Sequence, residues 1–569
     1  MAENGATGGD VTNGREQFLK AREFLLTHCE DWEGASAGFR WPDPPEFNWA
    51  LDWFDLYAAG NGRTALLIAE EGGREERYSF AEMKERSDRV ANFLRRLGVG
   101  PGSRILVMLD NQHELWETAL AAIKLGAVLI PSSLLLTPGD LSDRVRRGHV
   151  KLVVTTAENT AKFAGLAGEY AKVVTGGAAE GWTPFEDAYA EPATFVPGAA
   201  TKLSDPLFLY FTSGTTALPK MVLHTQGSYP IGHLSTMYWI GLKEGDVHLN
   251  ISSPGWAKHA WSSFFAPWNA GATIFVHRYA RFAPAGLLAA LRNHGVNTLC
   301  APPTVWRMVI LDALGARPAA LRELVSAGEP LNPEVIAQVN EAWGLTIRDG
   351  YGQTESTLQV GNMPGRPVKV GSMGLPAPGY QLGLLDPDGH EGPEGELAIR
   401  LDPRPLGLMV GYADDEARTR SVMSGGWYRT GDTASRDADG RYWFIGRADD
   451  VFKSSDYRVS PFEIESLLLE CDPVAEAAVV PTPDPIRGFV PKAFVTLAPG
   501  FAPDAATAEQ IFAELRGRLA PFRRVRVIEF VAELPKTVSG KIRRVQLRAQ
   551  EAGRTGANPR EFREEHGKG

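Results

Sequence analysis

The stretch YFTSGTTALPK, Tyr210 to Lys220, sets Thr212, Ser213, Thr215 and Thr216 around Gly214 and closes on Pro219 and Lys220. Four hydroxyls, backbone N–H groups freed by a glycine turn and one ammonium in a single short loop can surround a polyphosphate. It is not a Walker loop, which needs GxxxxGK[ST] at a strand–helix junction. A second cluster is DGYGQTES, Asp349 to Ser356. Tyr351 offers a flat face for a nucleobase, Thr354 a hydroxyl, and Glu355 a hard oxygen ligand for Mg²⁺, which bridges phosphates through one or two carboxylates. In WYRTGDTASRDADGRYWFIGR, Asp432 can accept hydrogen bonds from two ribose hydroxyls and Arg447 can reach sugar or phosphate. Finally, LPKTVSGKIRR sets Lys541 after Gly540 in a loop near the C-terminus. Taken singly, each cluster also reads as a solvated polar turn; their order along one chain gives them meaning.

The elements that must position these clusters are legible as alternating strands and helices. RILVML precedes NQHELWETALAAIKLG, KLVVTT precedes ENTAKFAGLAGEY, ATIFVH precedes APAGLLAALRNHG, and NTLCAPP leads into TVWRMVILDAL. Such alternation predicts an α/β fold with largely parallel sheets, whose ligands sit at the carboxyl ends of strands. After about Gly379 the texture becomes turn-rich and alternating, which predicts a β-rich subdomain. From Val451 onward the pattern is α+β again, so a boundary is expected near Asp449. The expected organisation is a lead-in over 1–20 without structure, a large domain of layered α/β sheets plus the β-rich part over 21–448, a small C-terminal domain over 449–548, and a polar tail over 549–569.

Bulk properties narrow the function. A chain of 569 residues, 44% hydrophobic and 22% charged, is expected to fold as two or more soluble domains. A net charge of -10 argues against a general nucleic-acid binder. Cys29, Cys300 and Cys471 fall in no CxxC pair, which suggests neither a zinc site nor a disulfide framework and fits a reducing cytoplasm. No secretory signal or membrane-spanning run is read, so the expected partners are small-molecule substrates, with no nucleic acid and no membrane, in a monomer or homodimer.

In their order YFTSGTTALPK, SAGEPL, DGYGQTE, YRTGD, GRADD, KSSDYR, PKTVSGK, these motifs resemble the adenylate-forming superfamily of acyl-CoA synthetases, luciferases and peptide-synthetase adenylation domains, over about Phe47 to Arg548. GWAKHAWSSFFAPWNAGA, RADDVFKSSDYRVSPFEIES and PDPIRGFVPKAFV are most similar to its medium-chain acyl-CoA synthetase and benzoate-CoA ligase branch. The resemblance implies ATP, Mg²⁺ and CoA as cosubstrates and cofactors. Thr212, Ser213, Gly214, Thr215, Thr216 and Lys220 would hold the β- and γ-phosphates. Gly328, Glu329, Pro330 and Tyr351 would flank adenine, Asp349 would belong to the same ATP/AMP-binding set, Thr354 would bind the α-phosphate, and Glu355 would bind the metal. Asp432 and Arg447 match the ribose ligands. Lys541 matches the lysine that bridges the reacting carboxylate and α-phosphate, and with Glu355 and Thr354 makes up the catalytic set. Asp449 matches a hinge about which the small C-terminal domain rotates between half-reactions. Trp256, His259, Trp261, Gly350 and Thr357 are candidates for the acyl pocket; Trp256 and Trp261 read equally as core.

Three departures from that pattern bear on the acceptor. Ala217 replaces a glycine, which stiffens the phosphate loop slightly. Ser356 and Thr357 stand where Thr-Gly is usual, so a methyl and a hydroxyl would project toward the acyl site. Asp456 replaces a glycine beside the channel for the pantetheine arm, where it would add bulk and negative charge, with Arg458 following. The first expectation, on base rates, is a CoA ligase for a small acid, aromatic or short to medium in chain length. The alternative keeps adenylation but changes the acceptor: amide formation, or activation of nitrite for attack by an aminoaryl acid, as in a diazotase. A non-catalytic nucleotide-binding protein is the remaining class, opposed by the retention of Glu355, Asp432, Arg447 and Lys541.

Overall fold

A computed structural model describes residues 13–212, 218–312, 314–329, 331–454, 457–484, 488–521, 523–537, 541–553 and 558–564, and the statements below concern these. By its contacts the chain forms two compact units. The first comprises the described residues of Met1–Gly214, Leu218–Gln381 and Arg400–Ser421, and the second those of Leu382–Ile399 and Val422–Gly569.

The first unit has two sheets. One is eight-stranded, ordered Gly411–Tyr412, Lys220–Thr225, Pro206–Thr212, Val128–Pro131, Arg104–Met108, Val150–Thr156, Ala171–Thr175, Thr183–Pro184. The other is nine-stranded and runs Leu375–Pro376, Leu358–Gly361, Ile347–Gly352, Glu323–Ala327, Thr298–Cys300, Val247–Asn250, Thr273–Arg278, Thr64–Glu70, Glu75–Ser79. The central strands pair in parallel, as the strand–helix alternation predicts. Their side chains are buried on both faces, which is why they read as unbroken apolar runs. Flanking helices start where side chains can satisfy their free N–H groups: Ser79 and Glu82 form a capping box on Phe80–Arg96, and Thr137 and Asp140 do so on Pro138–Arg147.

In the second unit the β-rich stretch forms a five-stranded sheet from Leu382–Leu385, Glu394–Arg400, Trp427–Arg436, Met423–Ser424 and Tyr442–Arg447. A four-stranded sheet follows, from Val474–Asp484, Gly488–Leu497, Val527–Phe530 and Glu561–Arg563. Helices Pro461–Leu468 and Ala505–Arg516 share a core with it through Ile464, Leu468, Ile511 and Phe512. No helix is long and apolar enough to cross a membrane.

Both expected ends need correction. The lead-in over 1–20 contains the start of a helix, Gly14–Thr27, because Phe18 and Leu25 are buried and Arg22 lies over the Trp53 ring. The polar tail over 549–569 carries the end of the helix Arg544–Ala552 and the edge strand Glu561–Arg563. Charge explains the second case. Lys492 is wholly buried, and its ammonium is met by Glu529 at 2.9 Å, Glu551 at 2.7 Å and Glu561 at 2.6 Å.

Candidate active site

In the first unit, strands Pro206–Thr212 and Lys220–Thr225 pair antiparallel with Thr212 opposite Lys220. The two ends of the hydroxyl-rich loop are thereby brought together. Ser213, Gly214, Thr215, Thr216 and Ala217 themselves lie outside the described residues, as do Pro330 and Asp456. Lys220 points at the second motif: its Nζ is 3.8 Å from Glu355 Oε1 and 5.2 Å from the centre of the Tyr412 ring. Tyr412 donates its hydroxyl to the same Glu355 oxygen at 2.9 Å. A cation and a carboxylate from distant segments thus face one another, with the Glu355 side chain still 12% exposed.

The backbone of the Thr354–Glu355 turn is held from two sides. Met409 donates its N–H to the carbonyl of Glu355 at 2.8 Å. The carbonyl of Thr354 accepts from His224 Nε2 at 2.8 Å. A carbonyl can only accept, so Nε2 carries the proton, and in the neutral ring Nδ1 is the acceptor of the Ser228 hydroxyl at 3.0 Å, while Ser228 Oγ accepts the N–H of Thr225 at 2.8 Å. Burial pushes the His224 pKa down to about 4, so the ring is neutral.

The glycines of DGYGQTE answer to packing. A Cβ on Gly350 would sit 2.3 Å from the Trp239 ring, and one on Gly352 would sit 2.4 Å from Trp261. Trp261 is buried and donates its Nε1–H to the Tyr229 hydroxyl at 3.1 Å; Trp256 is half-buried. His259 is buried, bonded through Nε2 to Asn111 Oδ1 at 2.8 Å, and driven down to about 3 by burial. Thr357 is fully buried, its hydroxyl 3.0 Å from Ser235 Oγ and 2.7 Å from the Tyr380 hydroxyl. Tyr351 is half-buried at the end of Ile347–Gly352. Burial pushes the Asp349 carboxyl up to about 8, although it accepts the N–H of Gly350 at 3.0 Å. Gly328 adopts φ +105°, and Glu329 accepts from Thr304 Oγ1 at 3.0 Å and faces Arg307 Nη2 at 3.4 Å.

In the second unit, Asp432 and Arg447 lie opposite one another on paired strands and are joined Oδ1 to Nη1 at 3.1 Å. The Asp432 side chain is 7% exposed and that of Arg447 42%. Arg447 Nε also lies 3.4 Å from Asp449 Oδ1. The next residue, Asp450, pairs with Arg544 and Arg548 on the helix that follows Lys541. Lys541 is exposed, and its carbonyl accepts the N–H of Thr537 at 2.7 Å. The backbone of Arg458 pairs with that of Lys453 in a short hairpin; its side chain lies outside the described atoms.

Sequence reasoning missed His224, Tyr412 and Trp239. His224 sits in the strand MVLHT with no local mark of function, and Tyr412 is 57 residues from the carboxylate it bonds.

This α/β chain has relatives along most of its length. The profile described as AMP-binding enzyme matches residues 54–413, and that described as AMP-binding enzyme C-terminal domain matches 463–541. The chain is 42% identical over 522 residues to 4-hydroxybutyrate–CoA ligase 1 of Metallosphaera sedula, covering 90% of this chain and 91% of that one. It is 37% identical over 543 residues to the mitochondrial acyl-coenzyme A synthetase ACSM3 of Mus musculus, covering 92% and 93%. Among solved structures, the anthranilate CoA ligase AuaEII in complex with anthranoyl-AMP superposes with a TM-score of 0.81 at 29% identity, covering 90% of this chain and 98% of that one. The chain belongs to the family of AMP-binding enzymes. Within it, the chain is an AMP-forming ligase of the acid–thiol type. These matches do not favour the non-CoA alternatives, amide formation and nitrite activation, that Asp456 suggested.

Proposed function

We propose that the chain activates a small carboxylic acid, short-chain or single-ring aromatic, with ATP and Mg²⁺. The carboxylate oxygen attacks the α-phosphorus and pyrophosphate leaves; the CoA thiolate then attacks the acyl carbonyl and AMP leaves. The observation that carries the reading is the Lys220–Glu355–Tyr412 cluster, which brings a cation from the phosphate motif to a carboxylate from the DGYGQTE motif. Carboxylate and triphosphate repel, so the work is positioning and neutralisation.

In this reading the hydroxyls of Thr212, Ser213, Thr215 and Thr216, the backbone of Gly214 and the Lys220 ammonium bind the outer phosphates. Gly328, Glu329, Pro330, Asp349 and Tyr351 surround adenine, Thr354 contacts the α-phosphate, and Asp432 with Arg447 holds the ribose. A partly exposed carboxylate fits Mg²⁺, which takes one or two protein carboxylates plus phosphate oxygens, and Glu355 would be that ligand. The ion's chemistry is to neutralise charge on the phosphates. Lys541 bridges carboxylate and α-phosphate, and Asp449 is the hinge that lets the second half-reaction replace the first. Trp256, His259, Trp261, Gly350 and Thr357 border the acyl group, and Asp456 and Arg458 the CoA arm.

The homologues' names support the acid class, since they act on 4-hydroxybutyrate and anthranilate. The test is calorimetric and kinetic together. Glu355→Gln is expected to lower acid-dependent pyrophosphate release by about 100-fold, the order for losing a transition-state electrostatic contact, and to abolish the Mg²⁺ dependence of ATP binding. Wild-type rates and Mg²⁺ dependence in the variant would overturn the assignment.

A further inference from the structure

Within GWAKHAW, Lys258 carries a buried polar end without a hydrogen-bond partner among the described residues. It lies in the short helix Ala257–Ala260, and its Nζ is closed off from solvent. Burial holds its ammonium below the ordinary lysine range. The ionisable groups that act on it are the Cys300 thiol and the Glu329 carboxylate, and Glu329 is already engaged by Thr304 and Arg307.

A second unpartnered atom shares the neighbourhood. Asn250 ends the strand Val247–Asn250 and is in register with Cys300, the last residue of Thr298–Cys300. Its Nδ2 donates to Ser263 Oγ at 2.9 Å, in the same run of helix that carries Lys258, while its Oδ1 is buried without a donor. The sheet's carboxyl edge and its helical cover thus hold an unsatisfied acceptor on Asn250 and an unsatisfied cationic donor on Lys258, linked through Ser263 and Cys300. Buried polar groups usually have a partner, and one without calls for an explanation, a ligand group among them. Ligands of open α/β sheets bind at this edge.

We propose that Lys258 and Asn250 form a polar subsite that recognises a hydroxyl on the acyl part of the acid substrate. A hydroxyl oxygen accepts from the Lys258 ammonium and its proton can be donated to Asn250 Oδ1. A second carboxylate only accepts and would confront Asn250 Oδ1 with an anion, and a methyl group would leave both atoms orphaned. The subsite rests on the adenylation reading above and narrows its substrate to hydroxy acids.

The experiment compares acid-dependent pyrophosphate release for matched acids of one chain length: unsubstituted, hydroxy and dicarboxylic. The wild-type protein is expected to favour the hydroxy acid in kcat/KM by ~10-fold or more, because a site built for a hydrogen bond rejects the analogue that lacks it. Lys258→Met is expected to bring that ratio close to one, while its unliganded melting midpoint stays equal or rises once an unpaired buried cation is gone. Should that variant not fold, Asn250→Leu carries the same expected collapse of the ratio. A wild-type protein without hydroxyl preference, a preference for the dicarboxylic acid, or a ratio unchanged in the variant overturns the subsite while leaving adenylation standing. Absence of pyrophosphate with every acid removes the adenylation reading and the subsite together.

Discussion

His224 reaches the proposed site only through a carbonyl. Its Nε2–H fixes the Thr354 carbonyl at 2.8 Å, one residue from the Glu355 carboxylate. Gln can donate from nearly the same place and Leu cannot. His224→Leu is therefore expected to lower kcat/KM for adenylate formation by about 10-fold, the cost of orphaning a buried carbonyl, and His224→Gln to recover most of it. Equal losses in the two variants would show that the ring acts by packing alone. Asp349 makes a separate prediction about pH. Its folded pKa, about 8, lies above its unfolded value, so the native state holds an extra proton. The stability this proton contributes is complete below about pH 4 and is lost as pH rises toward 8. Asp349→Asn should flatten that fall, measured as urea midpoints across the interval; an unaltered slope would mean that Asp349 is ionised in the native state. Of these residues, Asp349, Thr354 and Glu355 were readable from the motifs and His224 was not. What was not readable is why Gly350 and Gly352 are glycines, because Trp239 and Trp261 approach them from remote parts of the chain.

At the scale of elements, the central strands and their helices followed from apolar runs and capping residues, which are local signals. The C-terminal edge strand did not. Its pairing depends on Lys492, which is 59 residues from Glu551 and 69 from Glu561, and a charged stretch such as EFREE looks solvated when its partner is out of view. Replacing Lys492 by Met leaves three carboxylates clustered without a cation. The expected cost is about 3–5 kcal/mol at neutral pH, read from urea unfolding, with partial recovery as pH falls toward the glutamate pKa near ~4.3. A loss under about 1 kcal/mol would mean that the edge strand is held by Phe562 against Phe530 and not by the charges. The helix Gly14–Thr27 escaped for a related reason: its Phe18 packs against Phe47 and Trp53, which lie well beyond it in sequence.

At the scale of the whole molecule, the motifs lie on two compact units, with Lys220, Thr354 and Glu355 on the first and Asp432, Arg447 and Lys541 on the second. The order of the motifs therefore said more about the reaction than any one of them, since no single unit carries the complete set. It said less about the acceptor, because one aspartate in KSSDYR weighed against CoA while likeness along the whole chain weighs for it. The most direct test of the account follows pyrophosphate and thioester together over a panel of small acids with ATP and Mg²⁺, with and without CoA, in the wild-type protein and in Lys541→Ala. The expected result is acid-dependent pyrophosphate without CoA, thioester and AMP once CoA is added, and pyrophosphate release at least ~100-fold slower in the variant. Pyrophosphate release that Lys541→Ala leaves unchanged, or adenylates that CoA never converts to thioester, would contradict it.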